Sequence, residues 1–205
     1  SAIDGALEDD LNEPNIARAV GTATPSGSAV VVASSMPVRD VEAFWPATGG
    51  QRRVLANRGA NGIDGTISTA YGVAAGADGA PTYLLIGDVA FTHDLSGLLA
   101  GSRHGIDLTI VLVDNGGGGI FDFLPVGEAG GATYEEHIAT PPGVDFAHAA
   151  QTYGAAYKRL SSLAELRIEL AMIPQGTTVL HLQTDRAANV AVHRELAAAV
   201  AASLA

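Results

Sequence analysis

Asp88 ends the apolar run Pro81-Thr82-Tyr83-Leu84-Leu85-Ile86-Gly87, and Asn115, 27 residues further on, ends a second run over 108–114. If both runs are buried strands, each delivers a side-chain oxygen to the same edge of a sheet. Hard divalent cations take oxygen ligands, and Mg²⁺ typically uses one or two carboxylates together with substrate phosphates and waters. The pair therefore points to a diphosphate held through magnesium. Taken singly, each residue has a plainer reading: Asp88 caps a helix starting near residue 89, and Asn115-Gly116 is an ordinary turn. Gly116–Gly119 directly follows Asn115. It is either a flexible turn or a place where absent Cβ atoms let backbone N–H groups approach diphosphate oxygens, helped by the positive end of the next helix. A second dense stretch, Asn57-Arg58-Gly59-Ala60-Asn61-Gly62-Ile63-Asp64-Gly65, reads as a glycine-rich turn into a helix with Arg58 free to meet an anion or solvent.

The elements that must position these residues follow from patterning. Asn12-Glu13-Pro14 predicts a helix start with proline in the first turn, running to about residue 22. Residues 28–34, 53–56, 82–87, 108–114, 155–158 and 177–183 read as strands. Helices are expected over about 38–45, 64–77 (with Asp64 as a cap), 89–100, 145–153, 162–172 and 188–203. Residues 1–12 are acidic and weakly patterned, a flexible lead-in, and 13–205 form one domain. Residues 125–143 read as an irregular connection, long enough to be functional. Alternating short strands and amphipathic helices predict an α/β doubly wound parallel sheet with helices on both faces. Ligands of such sheets bind outside the carboxyl ends of the strands. The segments 34–39, 57–63, 87–91 and 114–121 all fall there.

Composition removes several function classes. The chain has 205 residues, 47% of them hydrophobic, enough for a substantial core in one domain. Its net charge is −11, and Lys158 is its single lysine beside ten arginines. Nucleic-acid binding, which rests on clustered cations, is disfavoured. No run is long and apolar enough for a membrane span, and a cytoplasmic location is expected. With no cysteine, thiolate metal sites and cysteine nucleophiles are excluded. The histidines show no zinc spacing, and there is no dinucleotide glycine fingerprint, P-loop or nucleophile elbow.

Gly-Asp, then 25–30 residues, then Asn after a hydrophobic strand resembles the cofactor signature of thiamine-diphosphate enzymes. Four segments occur in order: Ser34-Ser35-Met36-Pro37-Val38-Arg39-Asp40, Asn57-Arg58-Gly59, Gly87-Asp88 with His93-Asp94, and Asp114-Asn115-Gly116-Gly117-Gly118-Gly119-Ile120-Phe121. Together they resemble the C-terminal, diphosphate-binding domain of the 2-succinyl-5-enolpyruvyl-6-hydroxy-3-cyclohexene-1-carboxylate synthases, over about residues 12–185. Val89 stands where the wider signature has glycine, Asn61 where this family usually has serine, and 139–142 replaces a common Gly-Thr-Pro-His.

The resemblance implies thiamine diphosphate and Mg²⁺ (or Mn²⁺) as cofactors. Asp88, Asn115 and the Gly117 carbonyl would be the metal ligands. Gly87, Val89 and Gly118 would lie against the cofactor, and Ile63 would be the apolar wedge beneath its bent form. Ser35, Arg39 and Arg58 would bind substrate carboxylates, which guanidinium forks match bidentately. Ile120 and Phe121 would cover the pocket, and His93 would be a hydrogen-bonded structural residue. Arg52 and Arg53 are taken as surface charges. The implied reaction decarboxylates 2-oxoglutarate and adds the remaining four-carbon unit to isochorismate, a step of menaquinone biosynthesis. The implied partner is a pyrimidine-binding domain of the same enzyme, supplied by a second subunit of a homodimer or homotetramer and carrying the activating glutamate. The chain is accordingly expected to be an inactive C-terminal piece by itself. The alternatives are another thiamine-diphosphate 2-oxoacid enzyme, acetolactate-synthase-like, and a non-catalytic doubly wound ligand-binding module.

Overall fold

The computed structural model describes residues 2–46, 50–57, 59 and 62–204. Six strands form one sheet: β1 (Ala29–Val32), β2 (Arg53–Ala56), β3 (Thr82–Gly87), β4 (Leu108–Asp114), β5 (Ala156–Leu160) and β6 (Thr177–Gln183). Their order is β2-β1-β3-β4-β6-β5, and every pairing is parallel. Central strands β1, β3 and β4 are buried almost throughout and read as continuous apolar runs, as expected where helices cover both faces. Edge strands β2 and β5 are largely exposed, and β5 carries Lys158 and Arg159.

The strand period of two divides the core. Val31, Leu84, Ile86, Ile110 and Leu112 face one layer, with Ile67, Tyr71, Phe91 and Phe146 from the helices over it. Val30, Val32, Tyr83, Leu85, Val111 and Val113 face the other, with Ile16, Val20, Leu166 and Leu170. The first layer includes α4 (Thr66–Ala75), α5 (Asp88–His93) and α9 (Phe146–Thr152). The second includes α2 (Glu13–Ala23) and α10 (Leu163–Ala171). Helix α3 (Met36–Phe44) follows β1, α6 (Leu99–His104) precedes β4, and α11 (Arg186–Leu204) closes the chain.

Several elements differ from the sequence pattern. Residues 2–12 hold structure the pattern did not announce. Residues Ala2–Ala6 form a short helix, α1, and Asn15 Nδ2 donates to the carbonyls of Glu8 (2.6 Å) and Asp10 (2.9 Å). The expected irregular connection over 125–143 contains α7 (Pro125–Ala129), α8 (Gly131–Tyr134) and a π turn over Glu135–Ala139. These are too short to leave a helical hydrophobic period. Asp64 does not cap α4; Gly65, at φ 63°, holds that position. Arg52 is no free surface charge: its Nε donates to Thr24 Oγ1 at 2.7 Å, tying β2 to the end of α2.

From β1 the chain turns outward to β2, and from β3 it proceeds the other way to β4. The switch point is therefore at the carboxyl ends of β1 and β3. Gly87 pairs with Val113, so Asp88 and Asp114–Asn115 leave the sheet side by side.

Candidate active site

A cavity of about 670 Å³ opens at this switch point. Ser35, Arg39, Ile63, Gly87, Asp88, Val89, Asn115, Gly117, Gly118, Ile120 and Phe121 all line it. Of the residues singled out in the sequence, Arg58 lies outside the described residues.

Asp88 opens α5 directly after β3 and is 2% exposed. Its Oδ1 accepts from the Val89 N–H at 2.8 Å and its Oδ2 from the Gly117 N–H at 2.7 Å. Burial pushes its carboxyl well above the usual range; the two N–H donors oppose that, and the Asp114 charge adds to it. Asp114 goes the opposite way. His181 Nε2 approaches its Oδ2 at 2.9 Å and holds it below the usual range, while Tyr157 Oη and His181 Nδ1 are 2.6 Å apart. The site therefore holds one carboxylate secured by a histidine and one that a cation would stabilise as the anion.

Asn115 Nδ2 donates to Glu13 Oε1 at 2.8 Å, and Asn115 Oδ1 is buried without a hydrogen-bond partner. Buried polar oxygens are nearly always paired, so this orphan marks a place for a donor or a cation. Gly117 has φ 137°, and a Cβ there would lie 2.6 Å from the Ala139 carbonyl oxygen. Its own carbonyl accepts from the Gly119 N–H at 2.9 Å and keeps a second lone pair. A carboxylate, an amide oxygen and a carbonyl form an oxygen-only set that suits Mg²⁺ or Mn²⁺. Among the described residues, no three His, Cys, Asp or Glu side chains converge on a metal position.

The glycine run acts differently from expectation. Gly116 N–H donates to Asp114 Oδ1 at 3.2 Å, Gly117 to Asp88, Gly118 to the Ala139 carbonyl at 2.6 Å, and Gly119 to the Gly117 carbonyl. These donors hold the turn itself. A 3₁₀ turn (Gly119–Phe123) follows in place of an α-helix, so no helix dipole points at the site from this side. The glycines supply positive φ at 116 and 117 and room for close packing.

At the cavity's other residues, Ser35 occupies the N-cap position of α3, with no side-chain capping bond, at φ 75°, a conformation rare outside glycine, and Arg39 Nη1 donates to the Ser35 carbonyl at 2.7 Å. The remaining guanidinium N–H groups can take a carboxylate. Ile120 and Phe121 project from the 3₁₀ turn, and Phe121 is 38% exposed. That turn is braced from outside the cavity: Tyr134 Oη donates to Asp122 Oδ1, and Arg186 pairs with Glu135 at 2.7 Å and Asp122 at 3.7 Å.

Sequence reasoning gave no cavity role to several lining residues, among them Glu13, Asp40, His93 and Thr140. Glu13 and Asp40 looked like ordinary helix residues; nothing local marks a carboxylate that tertiary packing buries. Burial pushes Glu13 up to about 7, with the Asp40 charge adding to it. Burial raises Asp40 as well, against the attraction of His193, whose Nε2 is 2.9 Å from Asp40 Oδ1. His93, expected as a structural hydrogen-bonding residue, lines the cavity with its side chain 49% exposed and its Nδ1 3.6 Å from Asp64 Oδ1. Its spacing from Val89, four residues along α5, could have placed both on one face. Its neighbour Asp94 is the structural one, accepting from Ser68 N at 2.7 Å and Ser68 Oγ at 3.0 Å.

Residues 35–182 match the model of the thiamine pyrophosphate enzyme C-terminal TPP binding domain, which covers most of the chain and the whole cavity edge except Glu13, Ile16 and Ser34. The chain belongs to that family. Curated relatives of the TPP-binding chain are named 2-succinyl-5-enolpyruvyl-6-hydroxy-3-cyclohexene-1-carboxylate synthase. The one from Myxococcus xanthus is 48% identical over 198 residues, covering 96% of this chain and 33% of the relative. The one from Synechococcus elongatus is 45% identical over 194 residues, covering 94% and 33%. The chain thus spans about a third of the length of the curated relatives it matches. Among solved structures, a thiamine diphosphate-dependent 4-hydroxybenzoylformate decarboxylase from Rhodococcus jostii superposes with a TM-score of 0.68 at 17% identity. That match covers 87% of this chain and 33% of that one, and shows the same fold. Among the described residues of this TPP-binding domain, no helix is long and apolar enough to cross a membrane.

Proposed function

We propose that this chain is the diphosphate- and cation-binding domain of a 2-succinyl-5-enolpyruvyl-6-hydroxy-3-cyclohexene-1-carboxylate synthase. The observation that carries the reading is the buried, unpartnered Asn115 Oδ1 on the same cavity edge as Asp88 and Gly117. The Asp88 carboxylate, the Asn115 amide oxygen and the Gly117 carbonyl hold Mg²⁺ or Mn²⁺, and through it the diphosphate. Gly87, Val89 and Gly118 line the same wall, and Ile63 supports the cofactor from the loop before α4. When bound, thiamine diphosphate supplies the electron sink for decarboxylation of a 2-oxoacid.

The chain's own residues select and place the substrates. Arg39, with Ser35 beside it, orients the carboxylates of 2-oxoglutarate and isochorismate, both dianions; Arg58 is assigned the same role from its sequence context. Holding two anionic partners in register is a large part of what such a site contributes to rate. Ile120 and Phe121 lay apolar surface over the reacting centre and limit water there. A pyrimidine-binding domain of the same enzyme, from a second subunit of a homodimer or homotetramer, completes the site.

The test uses the full-length enzyme. Calorimetric titration with thiamine diphosphate should show binding that requires Mg²⁺, and product should form from 2-oxoglutarate with isochorismate and not with pyruvate as acceptor. Binding that ignores the metal, or a preference for pyruvate, would refute the assignment.

A further inference from the structure

Asn115 is held by a residue that no motif singles out. Glu13 starts α2, is 4% exposed, and lies outside the span of the family match. Its Oε1 accepts from Asn115 Nδ2 at 2.8 Å and from Thr184 Oγ1 at 3.1 Å, joining the start of α2 to the carboxyl ends of β4 and β6. Thr184 is fixed independently, its N–H donating to the Asp114 carbonyl at 2.9 Å. Both contacts converge on Oε1, so that oxygen is an acceptor whichever state the carboxyl is in.

The contact is directional. An asparagine amide has a donor at one corner and an acceptor at the other. Turning it over would set Oδ1 against Glu13 Oε1, exchanging an attraction for a repulsion at the same separation. Gly119 encloses the amide from another side, since a Cβ there would lie 2.8 Å from Nδ2. With Nδ2 engaged by Glu13, Oδ1 is the atom left over, buried and unpartnered.

We propose that Glu13 is a positioning residue that fixes the Asn115 amide with its oxygen toward the cation, so that the ligand is oriented before metal arrives. This rests on the reading of Asn115 as a cation ligand. Outer-shell groups that orient a metal ligand are typically worth 10–100-fold in affinity.

The experiment measures Mg²⁺ affinity of the full-length enzyme at saturating thiamine diphosphate, alongside the melting temperature of the metal-free protein. Glu13→Leu, which removes the acceptor, should weaken Mg²⁺ by about 10–100-fold. Glu13→Gln, which keeps an acceptor oxygen, should stay within roughly threefold of wild type, well short of an outer-shell loss. A Glu13→Leu enzyme that melts earlier yet binds Mg²⁺ like wild type has lost only a structural contact, and the assignment falls. Should that variant fail to fold, a reciprocal exchange decides. Asn115→Asp sets two carboxylates face to face and should lose Mg²⁺ binding, although a carboxylate is itself a good magnesium ligand. Adding Glu13→Gln supplies an N–H donor and should recover about tenfold, a coupling ordinary for groups in contact. No recovery overturns the proposal. Metal-independent cofactor binding by wild type, or Asp88→Asn binding Mg²⁺ normally, would instead sink the reading of the whole site.

Discussion

Asp88 and Arg39 line one cavity but are held in different ways. Asp88 is almost fully buried, with a backbone N–H on each oxygen and the glycine turn closed around it. Arg39 donates to the carbonyl of Ser35 four residues before it, and Phe121 at the same cavity keeps over a third of its surface in solvent. The proposed cation edge is made of short side chains and main chain at the ends of buried strands, where few rotamers exist. The proposed substrate edge is made of a long side chain and a ring on a 3₁₀ turn. The cation edge is therefore pre-organised by this chain's own packing. At the substrate edge as proposed, binding itself would have to order the groups, at the entropic cost that long side chains carry.

That contrast can be broken most directly at Asp88. Asp88→Asn in the full-length enzyme should weaken Mg²⁺-dependent cofactor binding by more than the roughly 10–100-fold typical of an outer-shell partner. A smaller loss in calorimetric titration would mean the edge does not ligate the metal. Gly117→Ala comes next. It forces a side chain into φ 137° with a Cβ 2.6 Å from the Ala139 carbonyl, which should cost about 1–3 kcal/mol in chemical denaturation and weaken cofactor binding as well. Unchanged stability would show that the turn yields easily.

At the substrate edge, Arg39→Gln should raise the KM for the anionic substrates about tenfold, as expected for lost hydrogen bonds to a charged group. The cofactor dissociation constant should be unaffected; a parallel loss of cofactor affinity would erase the distinction between the two edges.

The smallest effect is on pH. Glu13 is pushed up to about 7 from 4.5, and burial raises Asp40 and Asp88 in the same direction. A carboxyl whose folded pKa exceeds its unfolded one takes up protons on folding. It adds stability that is whole below the unfolded pKa and is lost as pH rises through the folded one. The metal-free enzyme should therefore melt progressively earlier between about pH 4 and about pH 7, and Glu13→Gln should flatten that slope. Melting temperatures rising with pH over the same interval would contradict the buried-carboxylate account.

Much of the fold was legible in the residues. The runs at 82–87, 108–114 and 177–183 form strands at the expected residues, because buried parallel strands are written as continuous apolar stretches between turn residues. The meeting of Asp88 and Asn115 was legible for the same reason: both are strand-end residues, and their sheet neighbours Gly87 and Val113 are in register. The turns over 125–139 were not legible, being too short for a helical period, and neither was the tying of residues 2–12 to α2. The inward donors of the glycine run were not legible either, since composition marks where a Cβ is absent and not where the N–H groups point.

The sequence by itself determined the doubly wound sheet, the placing of Asp88 and Asn115 at its edge and the family to which the chain belongs, because each is encoded in local pattern and spacing. Only the tertiary structure decided which way the Asn115 amide faces, that Glu13 and Asp40 are buried against the site, and that His93 looks into the cavity. Those depend on groups up to 171 residues apart meeting in space. Burial and hydrogen-bond direction arise from that meeting and leave no trace in any one segment.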